Sequence, residues 1–226
     1  MNKVILILAF VSMSWIVSCT LTAQTTDFGS IGSLALSKNL GRYWNVKLEQ
    51  ELRFNNLSTT YNRSLTSVGV GYSIIRKVLK AELEYDFIHQ RQNAIYEFRH
   101  RSSLAISTHF DYDVFQFELK TRGQATWRDE SEGDYKFNPK YVWRNKLKCA
   151  YKIFGSPVRP FISWEIFCPL NSVNGFFMDG YRFTLGTKYR VSRHISLQFL
   201  VRCDQEIQQV NPKRVLYGGV GWECSL

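Results

Sequence analysis

The sequence predicts an all-β fold: an antiparallel up-and-down transmembrane β-barrel of ten strands, alternatively twelve, with short periplasmic turns and longer extracellular loops. Three observations carry this expectation. From Trp44-Asn45-Val46-Lys47-Leu48-Glu49-Gln50-Glu51-Leu52-Arg53-Phe54 almost to the last residue, apolar or aromatic side chains alternate with charged ones, which is the period of a β-strand. The connections between alternating segments are short and long in turn, as in outer-membrane barrels. Aromatic rings gather towards both ends of the segments, with Leu, Val and Ile between them, as at the two interfaces of a bilayer.

The N-terminus is read separately. Lys3 supplies a positive start and Val4 to Val17 an apolar stretch too short to span a membrane as a helix, the pattern of a secretory signal peptide. Cleavage after Ala23 makes residues 1–23 the signal and residues 24–226 a single outer-membrane β-barrel domain. The run Ile16-Val17-Ser18-Cys19 also fits a lipoprotein box with Cys19 acylated, and both processing routes stay open. Beyond this segment no apolar run reaches the roughly 18–20 residues a membrane helix needs, so any crossing is by strands.

Eleven candidate strands follow in order, at residues 28–37, 43–54, 63–74, 79–90, 95–108, 114–127, 140–153, 160–168, 181–191, 194–204 and 214–226. Short connections fall at 39–42, 75–78, 109–113, 154–159 and 191–193. Longer ones fall at 55–62, 89–94, 128–139, 169–180 and 205–213. An even-stranded barrel with both ends periplasmic cannot hold eleven spans. Either 28–37 is not a full span, giving ten, or one strand is missed, giving twelve. On this map Trp44, Tyr72, Phe115, Tyr151, Tyr189 and Trp222 mark the short-turn interface. Phe54, Phe87, Phe98, Trp127, Trp143, Phe167, Tyr181 and Tyr217 mark the long-loop interface.

The opposite faces, which line the lumen, are charged. Their upper half holds Arg53, Arg99, Arg101, Arg122, Arg144, Arg182 and Arg202, answered by Glu84, Glu97 and Glu165, while Lys47, Lys80, Lys148 and Lys188 lie nearer the turns. One reading is a salt-bridged interior that fills and rigidifies a narrow barrel, because unpaired charge there is costly. The other is a porin-like lumen in which converging guanidinium groups attract small anionic solutes. The formal net charge of +10 comes from basic residues spaced singly along strands, which argues against nucleic acid as a partner. Expected partners are outer-membrane lipid and a small anionic solute, with the oligomeric state open and no cofactor. Cys149, Cys168, Cys203 and Cys224 lack zinc spacing and sit at unmatched heights, so free thiols are expected and no metal site.

Two competing classes remain. An outer-membrane enzyme acting on lipid or lipopolysaccharide would need a nucleophile and base near the rim, and the candidates are only His109 and His194 in turns and His89 and His100 on the outward face. A soluble periplasmic ligand-binding β-barrel would show the same alternation with its apolar face inward. The residues Glu51-Leu52-Arg53-Phe54, Gly71-Tyr72, Glu84-Tyr85, Glu97-Phe98-Arg99-His100-Arg101, Lys120-Thr121-Arg122, Arg144-Asn145, Pro160 through Trp164-Glu165, Gly180-Tyr181-Arg182 and Leu185-Gly186 resemble domain-of-unknown-function family 2490 across about residues 27–222. The resemblance implies an exported outer-membrane β-barrel of Gram-negative bacteria and supplies no activity. Its recurring positions coincide with the inward Arg and Glu set.

Overall fold

A computed structural model describes residues 25–92, 95–129, 138–172, 175–207 and 212–226. The expected signal peptide, residues 1–23, and with it Cys19, lies outside them. Alternating residues build eleven strands: β1 (Thr25–Leu40), β2 (Trp44–Asn55), β3 (Thr60–Ile75), β4 (Leu79–Gln92), β5 (Ile95–Tyr112), β6 (Phe115–Arg128), β7 (Lys140–Tyr151), β8 (Val158–Pro169), β9 (Gly180–Arg190), β10 (Ile195–Glu206) and β11 (Lys213–Ser225). Each pairs with its chain neighbours in antiparallel fashion, and β1 pairs with β11 to close the barrel.

The expected count of ten or twelve is corrected to eleven. β1 is a full strand, and it runs parallel to β11 from Thr25↔Lys213 to Ser37↔Ser225. A parallel seam satisfies the backbone groups of both edges without an even number of strands, so the parity constraint that argued against eleven does not apply. Leu226 N extends the seam by donating to Ser37 O.

Two of the expected long connections shrink, because polar residues that look like loop continue the ladder. Tyr61 and Thr60 pair with Phe54 and Asn55, and His89 to Gln92 pair with Ile95 to Phe98. The difference between the rims rests on the links after β6, β8 and β10. On the opposite rim the tight links between β1 and β2, β3 and β4, and β5 and β6 place Gly41, Lys77 and Asp113 at φ +73, +65 and +51, the left-handed geometry that short hairpin turns require.

The two faces of the wall differ sharply. Outside lie Leu83, Leu104, Leu34 and Val201, each about 60% exposed, flanked by Trp44, Tyr72, Trp222, Phe98, Trp127 and Trp143. Inside lie the charged residues, with Ser103, Ala105 and Ser107 of β5 nearly inaccessible beneath them. Two rings expected in the long-loop belt turn inward instead. Phe167 shares its face with Glu165 and lies under Arg144 and Arg182, whose guanidinium carbons are 4.9 and 5.3 Å from the ring centre. Tyr217 shares its face with Glu223, is 4% exposed, and carries Arg53 at 5.6 Å. Strand parity, rather than height, decides their direction.

Small inward residues make room for long ones. At Gly186 an added Cβ would lie 2.7 Å from the Phe161 ring and 2.6 Å from Phe199 O. Phe161 lies over this glycine, and the Lys148 ammonium sits 4.8 Å from its ring centre. Gly186→Ala should therefore displace Phe161 and destabilise the barrel by about 1–3 kcal/mol, the usual cost of overpacking, measured as a fall in the urea midpoint of unfolding.

Candidate functional site

The inward faces enclose a cavity of about 790 Å³ lined by thirteen Lys and Arg against eight Asp and Glu side chains among the described residues. Of the ten lumen residues expected from the sequence, Arg53, Glu84, Arg101, Arg122, Arg144, Glu165, Arg182 and Arg202 line it. Glu97 and Arg99 are buried inward nearer the long-loop rim, paired with each other.

On the long-loop side the charges join into a chain. Arg63 Nη2 and Arg53 Nε donate to Glu51 Oε1 at 3.0 and 2.7 Å. Arg53 Nη1 reaches Asp204 Oδ2 at 3.4 Å. Asp204 also accepts from Arg182 Nε and Nη2 at 2.7 and 2.8 Å, a side-on two-point pairing. Arg182 Nη1 lies 3.5 Å from Glu165. Glu165 Oε1 accepts from Arg144 Nε and Nη2 at 3.0 and 2.8 Å, and Arg144 Nη1 donates to Gln124 at 3.1 Å.

These contacts link β3, β2, β10, β9, β8, β7 and β6. The step from Arg53 on β2 to Asp204 on β10 passes across both seam strands. It runs over the inward ring of Tyr217 on β11, 5.6 Å from the Arg53 guanidinium carbon, beside Gly219, which faces Ile31. A second group occupies β4, β5 and β6. Arg122 meets Glu84 at 2.8 Å, Lys80 meets Glu82 at 2.8 Å, Lys120 meets Glu82, and Arg101 stands 3.7 Å from Asp86.

The arginine-rich half is therefore largely engaged in ion pairs. What it leaves uncommitted is narrower. Arg202 Nη1 is 3.6 Å from Glu51, and its Nε and Nη1 are buried without a hydrogen-bond partner. Lys146 and Lys148, successive inward residues of β7, have no carboxylate within salt-bridge distance among the described residues. Arg63 was absent from the charged face read in the sequence, and Asp204 and Glu51 were not singled out as hubs. Their alternation with Leu65, Arg202 and Arg53 was visible, but the partner of each charge depends on strand register.

The histidines take other roles. His89 Nδ1 pairs with Tyr61 Oη at 2.9 Å, and His100 Nδ1 with Tyr85 Oη at 2.6 Å, both on the outward face. His109 belongs to β5 rather than to a turn, and stands 3.9 Å from Glu118. Cys149, Cys168, Cys203 and Cys224 are free thiols. Among the described residues no group of three His, Cys, Asp or Glu side chains converges as metal ligands would.

No match was found among curated proteins. Among solved structures the chain is similar to an anion-selective porin from Comamonas acidovorans, at 12% identity and a TM-score of 0.39, over 80% of this chain and 53% of the porin. The chain thus spans about half the length of that porin. A family profile described as "Protein of unknown function (DUF2490)" matches residues 28–214, almost all of β1 through the start of β11, and the chain belongs to that family.

Proposed function

We propose that this protein is an integral outer-membrane β-barrel whose lumen admits small anions. The observation that carries the reading is the excess of cations lining the 790 Å³ cavity, Lys146 and Lys148 among them, neither of which has a carboxylate within salt-bridge distance among the described residues. Fixed charge of one sign in a confined, low-dielectric wall raises the local concentration of the opposite ion. Lys148, resting on Phe161, stands at the lower end of this strip, and Arg202 lines the same cavity.

The membrane part of the reading rests on the reversal of the two faces. Leu34, Leu83, Leu104 and Val201 project outward, while ion pairs project inward, which suits a wall with lipid outside and polar contents within. A soluble barrel holding an apolar ligand needs the opposite arrangement, whereas the described lining of the cavity is dominated by charged side chains. The outward histidines are paired with tyrosine hydroxyls, His89 with Tyr61 and His100 with Tyr85.

Planar bilayers test the proposal. With the protein reconstituted across a potassium chloride gradient, the reversal potential should have the sign of chloride preference. Lys146→Glu combined with Lys148→Glu should move it towards potassium. A non-conducting barrel, or one that prefers cations, would overturn the reading.

A further inference from the structure

At the short-turn rim lies a second, smaller cavity of about 220 Å³, between the start of β8, the β9–β10 turn and the end of β11. Arg159, Lys188, Arg190, Arg193 and His194 line it. Lys188 is neutralised by Glu223. Arg159, Arg190 and Arg193 have no carboxylate within salt-bridge distance among the described residues, so three arginines line a space of small-molecule size without an ion-pair partner there.

The frame around them is tied down. Arg190 N donates to Pro157 O at 3.0 Å, joining the two chain segments that carry Arg159 and Arg190. Val191 N and Ser192 N both donate to Ile195 O, and Ser192 Oγ accepts from the backbone N–H of His194 and Ile195 at 3.2 and 3.1 Å. His194 Nδ1 pairs with Ser225 O at 2.8 Å, and Ser225 N donates to His194 O, which fixes the turn to the last strand. The arginines are thus presented by braced backbone.

We propose that this pocket is a binding site for a multiply charged phosphate-type oxyanion at the mouth of the lumen, with Arg159, Arg190 and Arg193 as its ligands. Each guanidinium offers a planar fork of donors matched to phosphate oxygens, and a single halide would leave most of those donors unused. The volume accommodates two linked phosphate groups. Arg159 and Arg190 lie on the same strand faces as Lys188, which lines both this pocket and the main cavity, whereas the neighbouring Tyr189 points outward and is 41% exposed. Arg159 and Arg190 thus lie on the side of the wall that faces the lumen, and Arg193 lies in the β9–β10 turn. The site depends on the reading of the lumen only for the route by which the anion arrives; its binding does not require conduction.

Equilibrium dialysis of pyrophosphate against the full chain folded in detergent tests it. One pyrophosphate should bind per barrel at low ionic strength, and the affinity should fall as salt rises. Arg190→Gln and Arg193→Gln should each weaken binding about tenfold, the order expected for losing one charge-assisted hydrogen bond. Arg91→Gln, at the opposite rim, should leave it unchanged. Retention of heat-dependent gel mobility shows that each variant is folded.

No binding at low salt, or equal affinity in all three variants, overturns the site. Micelles doped with phosphatidylglycerol should not compete; displacement of pyrophosphate by the lipid would overturn the assignment to a free solute. Reversal potentials measured on the same variants separate the two proposals. Chloride preference without pyrophosphate binding removes only this site, and pyrophosphate binding without chloride preference removes only the lumen reading.

Discussion

Leu83→Arg and Leu104→Arg should each cost about 2–4 kcal/mol of folding stability in a bilayer, the penalty for a cation on the lipid face of a barrel near the midplane. The two leucines face one another across β4 and β5 and are 62% and 60% exposed on the outer wall. On a surface facing water the same substitutions would change stability by no more than about 0.5 kcal/mol. Leu57→Arg is the internal comparison, because Leu57 is 73% exposed in the β2–β3 turn and belongs to the rim. Urea-dependent folding into phospholipid vesicles, followed by tryptophan fluorescence, reads all three. A near-zero cost at Leu83 and Leu104 would remove lipid from the outer wall.

Glu51→Ala should be the most damaging change inside the barrel. Its carboxylate accepts from Arg53 and Arg63 and faces Arg202, so its loss strips an acid from three enclosed guanidinium groups, of which Arg53 keeps Asp204 at 3.4 Å. Breaking a buried ion pair from one side costs about 3–5 kcal/mol, because the surviving charge keeps its desolvation penalty and loses its partner. Adding Arg63→Ala should recover part of that loss, since it removes one of the stranded cations. The coupling between the two sites is read from a double-mutant cycle in urea. Additive effects would show that Glu51 and Arg63 do not interact in the folded barrel.

The identity of each face was legible because a strand has period two, and a charge at Glu82, Glu84 and Asp86 can only point one way if Leu83 and Tyr85 point the other. Phe167 and Tyr217 follow the same rule against the expectation from their height. Their height suited an interfacial belt, yet their spacing from Glu165 and Glu223 already put them inside. The number of strands was obscured by a different assumption, that every pairing is antiparallel. No local residue pattern announces that β1 and β11 meet in parallel, since the contact joins segments almost the whole chain apart.

The network was half legible for a related reason. Arginines could be located, but whether Arg144 was committed or available depended on its register with Glu165 and Gln124 in strands on either side. The structure consequently moves attention from Arg144, which is fully engaged, to Lys146 two residues on. Arg159, Arg190 and Arg193 come together only through the closing of two turns against the last strand, a convergence that separate sequence segments do not reveal.

The parallel seam also separates the two ends of the barrel. β1 enters at the rim carrying the longer links, where Thr25 lies beside Lys213, and β11 leaves at the rim of tight turns, where Ser225 lies beside Ser37. An antiparallel closure would have brought both ends to one rim. Here a peptide tag placed ahead of β1 and another placed after β11 emerge at opposite rims of the barrel, so a pair of tags on one molecule labels both rims at once.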